Sequence, residues 1–95
     1  MQVYVSIGNS DGKLSAGEWA AYWTATHALV RRRASRIYGV WHSLPATPYV
    51  NACWSFEVPV EAEAGLQEEL RMLCREFRQD SVAWGAAETT FLTPG

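Results

Sequence analysis

The chain has no apolar run approaching the ~18 residues that a membrane span requires, and no charged-then-apolar leader opens it, so neither insertion nor secretion is expected. It also lacks a strong charge of either sign. Ten acidic against eight basic residues leave a net −2, which gives the molecule no long-range attraction to nucleic acid or to an anionic membrane. Cysteine is limited to Cys53 and Cys74, both in apolar patterns where a thiol behaves as a small hydrophobe, and both are expected to be reduced, buried and cytoplasmic. His27 and His42 form no zinc-like spacing with them. No metal, cofactor or catalytic residue is therefore assigned.

What is abundant is apolar and aromatic. Hydrophobic residues make up 48% of the 95 and five are Trp, enough to build one core within a single domain spanning 1–95. The stretch Asn51 to Val58 alternates most clearly. Ala52, Trp54, Phe56 and Val58 fall on one side of a strand, with Asn51, Cys53, Ser55 and Glu57 on the other. Gln2 to Ile7 alternates in the same way, and Gly8 to Gly12 concentrates turn formers.

Ser15 followed three residues later by Glu18 reads as a capping box opening a first helix. Its stripe of Trp19, Tyr22, Trp23, Thr26, Leu29 or Val30, and Arg33 runs to about Ser35. Ile37 to Ser43 reads as a second strand, followed by the loop Leu44 to Val50, stiffened by Pro45 and Pro48. After Pro59, the spacing of Leu66, Leu70, Leu73 or Cys74, and Phe77 predicts a second helix. Ser81 to Gly85 predicts a last strand, which Thr89 to Leu92 either continues, flanks as an edge strand or follows as a docked tail. The order β-α-β-β-α-β, with no internal repeat, predicts an α+β, ferredoxin-like two-layer sandwich: an antiparallel sheet with two helices on one face.

Several features could carry chemistry. Asn9, Asp11, Gly12, Leu14, Ser15 and Glu18 occupy positions of a calcium loop, but Ile7 stands where that motif requires Asp, and a turn followed by a cap uses the same letters. Lys13, close to a helix start, suggests an anion cradle, although Asp11 opposes it and no phosphate-binding glycine spacing is present. Arg31, Arg32, Arg33 and Arg36 read as compensation of the helix dipole in preference to a nucleic-acid surface, because Asn51 to Val58 lacks the basic-Gly-aromatic pattern of an RNA-recognition strand. Cys53 with His42 would need adjacent strands to place them opposite one another. Trp19, Trp23, Trp54 and Trp84 could enclose a small-ligand pocket, though such a set is more often core.

The sheet face that the helices leave open is the most productive candidate for contact with a partner. It would present Tyr4, Ser6, Cys53, Ser55 and Glu57, joined by either Tyr38 and His42 or Trp41. The alternative is a ligand site at the strand ends, made from Asn9, Asp11, Asn51 and Asp80.

The segments Gly-Asn-Ser-Asp with Lys-Leu-Ser (Gly8 to Ser15), Asn-Ala-Cys-Trp (Asn51 to Trp54) and Gln-Asp-Ser-Val-Ala-Trp (Gln79 to Trp84) together resemble a small family of uncharacterised proteins from actinobacteria and their phages. The resemblance implies a setting and no activity: a compact cytoplasmic protein, phage-borne, that acts by binding a host protein. The expected function is thus a non-enzymatic protein-binding module, a phage-encoded modulator of a host or defence protein, which meets that protein or a second copy of itself through the sheet. A small-molecule-binding or enzymatic ferredoxin-like dimer is the alternative.

Overall fold

The computed structural model describes residues 1–44 and 50–95. Strand β1 (Gln2–Gly8) leads to helix α1 (Ala16–Arg33), strands β2 (Arg36–His42) and β3 (Asn51–Glu57), a 3-10 turn (Val60–Ala62), helix α2 (Glu63–Glu76) and strand β4 (Ala83–Ala87). The sheet order is β2-β3-β1-β4, with every neighbouring pair antiparallel. This is the ferredoxin-like α+β arrangement that the element order predicted. Pro45 and Pro48 lie outside the described residues.

Alternation decides which side of the sheet is core. Val3, Val5 and Ile7 of β1 pair with Phe56, Trp54 and Ala52 of β3, and all six are at most 2% exposed. Tyr22, Thr26, Leu29 and Val30 from α1 and Leu66, Leu70 and Cys74 from α2 close over that face. Burying each large apolar side chain here contributes roughly 1.5 to 3 kcal/mol. Tyr22 stacks on Phe77 with centroids 4.8 Å apart, joining the two helices through aromatic contact. Arg33, expected on the apolar stripe, instead reaches with Arg32 across to Glu69 of α2.

The helix ends have identifiable causes. The Ser15 hydroxyl accepts from the Glu18 amide at 3.2 Å, and the Glu18 carboxylate accepts from the Ser15 amide at 3.1 Å, completing the capping box. Helix α2 ends through Arg78, whose φ of 56° is left-handed and lets Gln79 donate back to the Cys74 carbonyl at 2.8 Å.

Two boundaries differ from the sequence reading. Strand β4 runs over Ala83–Ala87, two residues later than expected, because its ladder follows Gln2 to Ser6 of β1. Val82 packs against the core just before it. Residues 88–95 then leave the sheet without regular structure, so Thr89 to Leu92 forms no strand. Phe91 and Leu92 are 87% and 94% exposed.

Candidate functional site

The helix-free face of the sheet is read from the cross-strand register. One row holds Trp41, Cys53, Ser6 and Ala83; the next holds Gly39, Ser55, Tyr4 and Gly85; the third holds Arg36, Glu57, Gln2 and Ala87. A bulge between Ile37 and Gly39 makes Tyr38 an extra residue. The sequence offered Tyr38 with His42, or else Trp41, as alternatives, since strict alternation cannot place Tyr38 and Trp41 on the same side. The bulge does so: Trp41 lies opposite Cys53, and the Tyr38 hydroxyl donates to Glu57 Oε1 at 3.0 Å.

His42 pairs with Ala52 on the core side of the sheet. The Cys53 and His42 pair considered from sequence is therefore split by the sheet itself.

Three aromatic side chains stand on the open face: Tyr4 at 39% exposed, Tyr38 at 48% and Trp41 at 54%. Beside them the face is low at Cys53 and along Ala83, Gly85 and Ala87. Gly39 is there for close approach, because a Cβ on it would sit 2.9 Å from the end of the Trp41 indole, which lies across it. Ser55 shares the face but is only 2% exposed. Gln2 Nε2 donates to its hydroxyl at 3.4 Å and to Tyr4 at 3.1 Å. Of the five residues expected to form the surface, Tyr4 is exposed and Ser6, Cys53 and Glu57 are half-buried, while Ser55 is covered.

At the third row, Met1, Gln2, Tyr38, Glu57, Ala87, Glu88, Thr89 and Phe91 line an open groove of about 750 Å³. Bonds from the terminal ammonium and then from Tyr38 hold the Glu57 carboxyl below the usual carboxylate range. The Tyr38 hydroxyl is shifted upward by desolvation and by that same bond. Thr89 donates to Gln2 Oε1, tying the start of the C-terminal tail to the groove.

The strand-end alternative gathers at the opposite end of the sheet, where the side chains of Asn9, Asp11 and Asp80 are engaged within the chain. Asn9 exchanges two 2.9 Å bonds with the Leu14 backbone. Asp11 accepts from the Lys13 amide, and the Lys13 ammonium bridges Asp11 and Asp80. The Asn51 side chain lies against Gly8. Glu18, the last carboxylate of the calcium-like pattern, is committed to Ser15 and to Arg78 at 2.7 Å. These bonds are those of a turn followed by a cap. Among the described residues, no three His, Cys, Asp or Glu side chains are close enough together to hold a metal ion.

Of the four tryptophans considered for a pocket, Trp23 and Trp54 meet, with ring centroids 5.6 Å apart, while Trp19 and Trp84 lie elsewhere. Trp54 is fully buried and donates to His27 Nδ1 at 3.0 Å. Trp23 stacks on His27 and on His42, with centroids at 4.9 and 5.9 Å, and its own buried Nε1 has no acceptor among the described residues. Trp19 meets Tyr22 edge-on, and Trp84 lines a hollow of about 110 Å³ beside α2. The histidine-tryptophan stack was missed in the sequence; the four-residue spacing of Trp23 and His27 was its one visible signal. No helix is long and apolar enough to cross a membrane among the described residues. No protein-family model matches the chain, and no curated protein sequence matches it.

Proposed function

We propose that the protein is a non-enzymatic binding module whose working surface is the open sheet face, met by another protein. The observation that carries this reading is the grouping of Tyr4, Tyr38 and Trp41 beside small residues on a sheet face that neither described helix covers. Large, rigid, amphipathic aromatics beside depressions that can receive a partner's side chains are the usual anchors of protein interfaces. The strand-end groups support a small-molecule site less well, because Asn9, Asp11 and Asp80 already bond within the chain. The resemblance of Gly8 to Ser15, Asn51 to Trp54 and Gln79 to Trp84 to proteins of actinobacteria and their phages supports a role as a modulator of a host protein, and makes an actinobacterial cell the setting for a test.

Photo-crosslinking provides that test. A p-benzoylphenylalanine at position 41, on the open face, is expected to give protein adducts in the cell, and the same group at position 72, exposed on α2, is not. Absence of any protein adduct at position 41 would remove the support for this reading.

A further inference from the structure

Beyond that reading, and away from the open face, we infer that the free edge of β4 beside helix α2 takes an acidic, extended segment of another protein as a fifth strand. The first observation is unpaired backbone. Strand β4 ends the sheet, bonded to β1 on one side, and among the described residues no backbone bond reaches its other side. Alternate residues of an antiparallel ladder direct their N–H and C=O groups to opposite sides, so two or three of the residues Ala83–Ala87 offer both groups outward. An added strand is the complement of such a row. Beyond Ala87 the chain turns toward β1, where Thr89 bonds to Gln2, and leaves this edge open.

The two edges of the sheet differ in protection. Strand β2 carries a bulge at Tyr38 and the charge of Arg36, and bulges and charges are common guards against strand addition. Strand β4 has neither. Its ladder with β1 is unbroken, it holds no proline and no charged residue, and apart from Trp84 it is exposed and no larger than alanine.

Room for side chains lies next to this edge. Leu70 and Arg71 of α2, with Val82 and Trp84, border the hollow of about 110 Å³. A second hollow, of about 350 Å³, shares Arg71 and Val82 with the first and extends to Arg75 and Asp80. Together they make a trough between α2 and the start of β4. Side chains two residues apart on one face of a strand stand about 6.6 Å from each other. One that enters the smaller hollow beside Trp84 is thus followed by one within reach of the two arginines.

The arginines select the chemistry of that second side chain. Arg71 and Arg75 share a single carboxylate, Glu68, at 3.5 and 3.4 Å. Each guanidinium has five N–H donors and spends one there. Asp80, the acid that borders the trough, is bound instead by Lys13 at 3.1 Å. Donors therefore remain on both arginines, and a carboxylate is the acceptor that takes two guanidinium N–H groups at once. An Asp or Glu on the added strand meets this requirement.

Selection from a displayed library of random peptides of about eight residues, against the purified chain, tests the inference. Enriched peptides are expected to share an Asp or Glu two positions from an apolar residue. By fluorescence anisotropy, such a peptide should bind Arg71→Glu, Arg75→Glu at least ~10-fold more weakly, and its Asp or Glu to Lys version should regain the loss on that variant. Damage to the fold cannot produce this exchange. N-methylation of alternate peptide amides should weaken binding at least ~10-fold in one phase and less than about 3-fold in the other, because a strand offers every second N–H to its neighbour. No enriched peptide, or one indifferent to the charge exchange or to the phase of methylation, overturns the inference. A peptide lost with Trp41→Ala but retained by the arginine variant lies on the open face and overturns it too. So does sedimentation showing dimers that the arginine variant disperses, since the edge then belongs to a second copy. The position-41 crosslink reports separately on the open face, so either reading can fail alone.

Discussion

At the level of single residues, Tyr22 and Trp54 show how an amphipathic aromatic serves the core. Tyr22 is 1% exposed. Burial, and secondarily the neighbouring Cys74, push its phenol up to about 12. Because the folded value lies above the unfolded one, the stabilisation is complete below about pH 10 and is lost as pH rises toward 12. Denaturant midpoints measured from neutral pH upward should therefore fall through that window, and Tyr22→Phe should flatten the fall; an unchanged fall in Tyr22→Phe would assign the effect to other groups. Trp54 pairs with Val5 and Val40 on the central strands and is fully buried, with its one polar atom bonded to His27. Trp54→Ala should cost roughly 3 to 5 kcal/mol in chemical denaturation. A loss under 1 kcal/mol would mean that the site collapses around the smaller residue.

Among the secondary-structure elements, the ends follow local chemistry and the irregularities follow tertiary demand. Helix α1 begins where Ser15 and Glu18 said it would, because a capping box satisfies its own donors and needs nothing from the rest of the chain. Strands β1 and β3 were equally legible, since each buries one face completely and so must alternate. The bulge at Tyr38 left no mark in the sequence, because alternation read residue by residue assumes an unbroken register. The open face was thus legible in Tyr4, Cys53 and Glu57, but its pairing of Tyr38 with Trp41 was not. Nor was the burial of Ser55, which depends on Gln2, Tyr4 and the Trp41 indole over Gly39.

Arg78 was hidden for the same kind of reason. A non-glycine at φ 56° is a site where glycine would be expected. Left-handed backbone costs an L-residue on the order of 1 kcal/mol, whereas the exposed pair that Arg78 makes with Glu18 contributes ~0 to 1 kcal/mol. Arg78→Gly should accordingly leave stability unchanged or raise it by up to about 1 kcal/mol, read as the urea midpoint. A clear destabilisation would show that the link from α2 to the start of α1 outweighs the backbone strain.

For the whole molecule, the division of labour between the two sheet faces determines how association should respond to salt. The helices are laced together at their polar edges by Arg32 and Arg33 with Glu69, and by Arg78 with Glu18, so most of the described ion pairs lie away from the open face. Burial raises the Glu69 carboxyl, but the two arginine bonds outweigh it and leave the group below the usual range. On the open face, Glu57 is already paired within its own chain. Covering this face with a partner therefore removes apolar surface from water and offers few free charges for new contacts. Raising the salt from about 0.1 M to about 1 M shortens the screening length from ~10 Å to ~3 Å. The dissociation constant of a partner bound to this face should change by less than about 3-fold over that range, and binding should carry the negative heat-capacity change of apolar burial. Calorimetric titration with the protein captured at position 41, at both salt concentrations, measures the two quantities together. Weakening beyond ten-fold at high salt would indicate that charges hold the complex together, in conflict with a binding face built from Tyr4, Tyr38 and Trp41.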